Sequence, residues 1–102
     1  MIIYNVTVIL DEVIHVDWVN WMKNGHLQEV MNTNCFISSR VLKVLESPND
    51  GVTYCVQYTA ETLEKYRMYQ ADFAPALQAK FPAHFTNKFE VYRTIMEVVD
   101  WV

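Results

Sequence analysis

The chain has 102 residues, of which 52% are hydrophobic, 14% aromatic and 20% charged, with two glycines and three prolines. That length fits one domain, and the composition excludes a disordered or linker-like protein, because enough apolar surface can be buried to offset the entropy of folding. A net charge of −4, with the eight basic residues scattered singly, speaks against nucleic-acid and anionic-membrane partners, which require clustered Lys and Arg.

Residues 2–10, IIYNVTVIL, are dense in β-branched side chains and predict a first strand buried on both faces and closed by Asp11. The segment MIIYNVTVILDEV lacks the basic start and small-residue cleavage site of a signal peptide, and no apolar stretch reaches the roughly 18–20 residues that span a bilayer. From 14 to 31 the apolar residues Ile14, Trp18, Trp21, Met22, Val30 and Met31 recur at helical spacing. Asp17 or Asp11 is the candidate N-cap of this helix, and Asn32-Thr33-Asn34 its stop, since Asn accepts the left-handed conformation. Residues 36–46 and 52–60 read as two strands around Ser47-Pro48-Asn49-Asp50-Gly51, a turn-forming run. A helix over 62–81 follows, with Thr62 as N-cap and Leu63, Tyr66, Tyr69, Phe73 and Leu77 on its buried side. Pro75 predicts a kink or restart within it. Residues 88–98, KFEVYRTIMEV, form the last strand.

No linker, repeat or low-complexity tract interrupts the series, so residues 1–102 read as one α+β domain of β-α-β-β-α-β order. The compact arrangement of that order is a four-stranded antiparallel sheet with both helices on one face. The other face is left bare, and the chain is rich in large apolar side chains for a lone small domain. A second subunit's sheet is the simplest cover, so a homodimer is expected. If Glu46 pairs with Val52, paired residue numbers sum to about 98 along the hairpin. Arg40 then lies opposite Tyr58, Val44 opposite Tyr54 and Cys55 opposite Lys43, with Cys35 beyond the paired strand. The two cysteines are too few for a disulfide scaffold and are not expected to meet; reduced thiols point to a cytoplasmic protein.

His26 is the leading candidate for chemistry. It follows Met22 by one helical turn and lies near Trp18, so it is expected to face the sheet, where an imidazole could act as an acid–base group or contact a ligand. The alternative is a core histidine bonded to a structural acceptor. Arg40 is in phase with Phe36, Leu42 and Val44, and Arg93 with Phe89, Val91 and Ile95, placing both guanidinium groups among apolar neighbours. Each then needs a partner: an anionic ligand, or a structural carboxylate or tyrosine such as Tyr58. Asn5, Tyr4, Tyr54 and Gln57 add polar groups to central strands. Trp18, Trp21 and Trp101 read as core or interface anchors. His15, His26 and His84 form no metal-ligand pattern, and the chain lacks a C-x-x-C pair, a glycine-rich phosphate loop, a G-x-S-x-G elbow and the basic motif of RNA-recognition domains. No metal and no cofactor are expected.

The stretches YNVTV, WVNWMKNGHLQEV, GVTYCVQY, APAL and KFEVYRTIMEV together resemble a domain-of-unknown-function family of short bacterial proteins. The likeness covers nearly the whole chain. It implies a ferredoxin-like fold of the dimeric α/β-barrel group, in which two sheets close a barrel. That wider group includes cofactor-free monooxygenases, haem-degrading enzymes and small isomerases with pockets between sheet and helices. Asn5, Trp18 and His26 are similar in kind to such a pocket. Haem-degrading members carry their iron-binding histidine on the second helix, where this chain has none, His84 coming just after it. Two readings result. One is a homodimeric protein that binds a small organic molecule or serves as an interaction module. The other is a cofactor-independent oxygenase or isomerase. Their candidate residues are Asn5, Trp18, His26, Arg40, Tyr54, Tyr58 and Arg93.

Overall fold

In the computed structural model, which describes residues 1–101, the chain runs through β1 (Ile2–Leu10), α1 (His15–Trp21), one π-helical turn (Met22–His26) and α2 (Leu27–Met31). It continues through β2 (Ser38–Lys43), β3 (Val52–Ala60), α3 (Leu63–Asp72), α4 (Ala74–Gln78), a short 3-10 turn (Ala83–Phe85) and β4 (Phe89–Glu97). The strands make one antiparallel sheet in the order β2-β3-β1-β4, with the expected β-α-β-β-α-β succession.

Alternation along β1 sets the two faces of the sheet. Ile2, Tyr4, Val8 and Leu10 turn toward the helices and are buried together with Trp18, Met22 and Val30 of the first helical run and Tyr69 and Leu77 of the second. Ile3, Thr7 and Ile9 turn the other way and are only half-buried. The first strand is therefore buried mainly on one face rather than on both, with Val6 half-buried on the helix side and Asn5 the buried residue of the other, since no helix packs there.

The first helical run begins after Ile14 with no side-chain cap. Asp17 lies inside the first turn, where its charge favours the helix N-terminus. Asp11 acts upstream instead: its Oδ1 accepts the Val13 N–H at 2.9 Å and its carbonyl accepts the Ile14 N–H at 3.1 Å. The run stops after Met31, and Asn34 takes the left-handed conformation expected of this segment (φ 61°). Thr62 does cap α3, its hydroxyl accepting the Lys65 N–H at 3.2 Å. The second helix breaks at Phe73, and α4 restarts with Pro75 in its first turn, where a missing N–H costs nothing.

The hairpin register differs from expectation by one residue. Arg40 pairs with Gln57 and Leu42 with Cys55, while Tyr54 pairs with Lys43. β2 ends at Lys43, and Val44 adds one further bond to the Thr53 carbonyl at 2.9 Å. Glu46 (φ 55°) and Gly51 (φ 91°) then turn the chain outside the ladder, so Glu46 never pairs with Val52. Gly51 is required here, because its positive φ suits no other residue as well and a Cβ would collide with the Leu10 carbonyl. Side chains alternate with a period of two, so this single-residue shift moves Arg40 to the open face of the sheet. Phe36 stays with the core because a bend at Ile37 breaks the phase between it and β2. Its ring lies 5.2 Å from that of Tyr58.

Candidate functional site

The π-helical turn shapes the site. The Leu27 N–H donates to the Met22 carbonyl, a closure five residues back rather than four. In an α-helix, residues five apart point about 140° away from one another. The wider turn brings Trp21 and His26 onto the same side, and their rings stack with centroids 4.4 Å apart and planes 21° from parallel. Single π-turns of this kind concentrate at functional sites. Burial holds the His26 imidazole below its ordinary pKa of 6.5; the Lys80 charge pushes the same way and Glu29 opposes it. The ring is thus neutral at pH 7.

His26 and Trp21 border a cavity of about 190 Å³ between the helices and the sheet. Trp18 and Met22 line it from the first helical run, and Phe81 and Phe89 close one end, their rings 4.5 Å apart. Trp21 meets Phe81 edge-on at 5.3 Å. The other end is more polar. Tyr4, Tyr58 and Tyr69 line it, the Tyr4 and Tyr58 rings stacking at 5.9 Å, and Arg93 stands there on exposed β4. Burial raises the pKa of all three phenols, so they are neutral hydrogen-bond donors at physiological pH. The Arg93 charge opposes that rise at Tyr4 and Tyr69, and all three residues line the same cavity.

Of the seven residues singled out from sequence, four meet at this cavity: Trp18, His26, Tyr58 and Arg93. Arg93 holds the inward position expected, opposite Val6 of β1. Tyr54 is separate. Its hydroxyl lies 3.1 Å from His15 Nδ1 and its ring packs against Trp18 from outside the cavity lining. Asn5 and Arg40 are on the opposite face of the sheet. Two Arg40 N–H groups, on Nε and Nη2, donate to Gln57 Oε1 at 2.9 and 2.7 Å, and Gln57 Nε2 donates to Asn5 Oδ1 at 3.2 Å. Asn5 Nδ2 continues the chain to Thr7 Oγ1 at 3.0 Å. A pocket combining Asn5 with Trp18 and His26, expected from sequence, is therefore not formed within one chain: Asn5 is an odd-numbered residue on a strand whose even-numbered side chains face the helices.

Sequence reasoning missed the site roles of Trp21, read as a core or interface anchor, of Tyr69, read as a buried helix residue, and of Phe81, which was given no role. The available signal was the five-residue spacing of Trp21 and His26 around Gly25, which has meaning only once a π-turn is known. Among the described residues, no group of three or more His, Cys, Asp or Glu side chains could hold a metal ion. No helix is long and apolar enough to cross a membrane.

The sheet order and the helices stacked on one face define a ferredoxin-like α+β protein. Residues 1–99 match the family described as "Domain of unknown function (DUF4286)", and the chain belongs to that family. No curated protein matches it. Among solved structures it is similar to a dimeric ferredoxin-like protein from an uncultured marine organism, at 13% identity and TM-score 0.74 over 100% of this chain and 98% of that one. HapK from Hahella chejuensis is similar at 16% identity and TM-score 0.68, over 100% of this chain and 96% of that one. A monooxygenase from the gene ActVA-Orf6 of Streptomyces coelicolor, solved in complex with nanaomycin D, is similar at 15% identity and TM-score 0.57, over 99% of this chain and 91% of that one. At these identities the likeness is one of fold.

Proposed function

We propose that this is a bacterial, cytoplasmic homodimer that binds a small organic molecule in the cavity between sheet and helices. The observation that carries the reading is the cavity itself: aromatic walls with a few convergent polar groups are the usual anatomy of a small-ligand site. Its volume exceeds the roughly 150 Å³ of an engineered apolar cavity that takes up benzene. The dimer is supported by the open sheet face. Its Arg40–Gln57–Asn5–Thr7 hydrogen-bond chain lies among the apolar side chains Ile3, Ile9, Leu42 and Val44, a mixture suited to a protein partner. The marine neighbour of the same fold is itself described as dimeric.

A second reading is a cofactor-independent monooxygenase or isomerase. The neutral His26 imidazole at the cavity edge favours it, because such a group can accept a proton from a bound substrate. The Streptomyces neighbour of the same fold is a monooxygenase. Native mass spectrometry of the purified protein tests the main reading. A dimer carrying the added mass of a small molecule is the expected result, and a monomer without added mass would overturn it.

A further inference from the structure

We infer that the cavity selects a planar aromatic monoanion, its ring beside Trp21, Phe81 and Phe89 and its acidic group on Arg93. This rests on the ligand-binding reading above and names the chemical class of the ligand. The two ends of the cavity differ in kind. Phe89 and Arg93 both face it from β4, four residues apart, which separates them by roughly 13 Å along the strand. At the Phe89 end, Phe81 and Trp21 offer ring faces and edges with no charge of their own. A flat ring fills such a space with favourable offset or edge contacts.

At the other end the chemistry is that of an anion site. Among the described residues no carboxylate lies within ion-pairing distance of Arg93; the ion pair formed is Lys80 with Glu29, at 2.8 Å and elsewhere on the surface. What sets Arg93 apart from the other unpaired basic side chains is its place in the lining of this aromatic cavity. Tyr4 and Tyr69 line the same cavity as Arg93. Their raised pKa values keep their protons in place, so they add hydrogen-bond donors and no competing negative charge. A guanidinium sharing a cavity with phenol donors suits a carboxylate or an ionised acidic phenol, because charge-assisted bonds are the strong ones. The volume of about 190 Å³ admits one fused or substituted ring system and not an extended polycycle.

The test is a titration of the intact protein with 2-naphthoate and with its neutral isostere 2-naphthamide, followed by tryptophan fluorescence. The carboxylate should bind about tenfold or more tightly than the amide, the scale expected for a charged hydrogen bond at a partly exposed cation. In Arg93→Gln the preference should vanish, while Arg93→Lys should keep part of it. Equal affinity of the two probes in the native protein would overturn the anion inference and leave the pocket reading intact. Binding of neither probe would overturn both. A preference for the anion that survives in Arg93→Gln would overturn the assignment of the acidic group to Arg93.

Discussion

Trp21 and His26 stack face to face although five residues separate them, and the π-turn at Met22–His26 brings them together. The stack places an imidazole with lowered proton affinity at the edge of an aromatic cavity, where a helix of regular pitch would have turned it away. Deleting one exposed residue of that turn, Asn24, should restore the α-helical pitch without disturbing the flanking segments, since a π-turn amounts to one inserted residue. We expect the deletion variant to stay folded by circular dichroism and to retain the ligand-induced fluorescence change, because it leaves Trp21 and His26 four residues apart in a regular helix and hence on one face. A folded variant that has lost binding would contradict the view that the turn acts by bringing these two rings to one side.

Burial lowers the His26 pKa in the folded protein, so below its ordinary value of 6.5 the unfolded chain binds more protons than the folded one. Stability is then complete above about pH 6.5 and falls as the pH drops from there toward the folded-state pKa. His26→Gln should flatten this dependence in urea titrations run across pH 5 to 7. A direct check is the NMR titration of the imidazole, which should have its midpoint below 6.5. A midpoint at or above 6.5 would contradict the buried environment assigned to this ring.

Trp18 is 1% exposed and joins the first helical run to the sheet through Tyr54 of β3. Trp18→Ala should destabilise the protein by about 3–5 kcal/mol, the range for truncating a large buried aromatic residue. Chemical denaturation measures this. A loss below about 1 kcal/mol would mean that the indole is not the wedge its burial indicates.

The open sheet face gives a separate prediction. Arg40→Glu replaces the cation that donates twice to Gln57 with an anion that can accept from the amide but cannot reproduce the Nε and Nη2 pair. With a second copy against this face, the added carboxylates should split the dimer, and light scattering should report half the native mass. An unchanged dimer would place the interface elsewhere.

Much of the fold was legible in the sequence, and the reasons are local. The β-branched run Ile2–Leu10, the Thr62 cap, the Asn34 stop and the Pro75 restart each depend on the chemistry of one or a few residues. The hairpin register was not legible, because it depends on how the chain spends Val44–Gly51, and Glu46 in a left-handed conformation is not signalled by its type. That one-residue difference carried Arg40 from the helix side to the open face and separated it from Tyr58. Arg93 was placed correctly because it lies inside an uninterrupted nine-residue strand, where alternation holds. Asn5 was associated with His26 by resemblance to relatives and by its position on a central strand. Strand alternation, applied strictly from Tyr4, would have put it on the other face. The Trp21–His26 stack was out of reach, since it needs a helix of irregular pitch.

The central claim is that the cavity between sheet and helices receives an organic ligand, and the three tryptophan indoles report on it directly. Trp18 and Trp21 line the cavity, whereas Trp101 is exposed outside it and serves as an internal control. We would follow the indole N–H resonances by NMR while titrating 2-naphthoate into the protein. Saturable shifts at Trp18 and Trp21, with Trp101 unmoved, are the predicted result. No shift, or parallel shifts at all three indoles, would contradict a ligand site in this cavity.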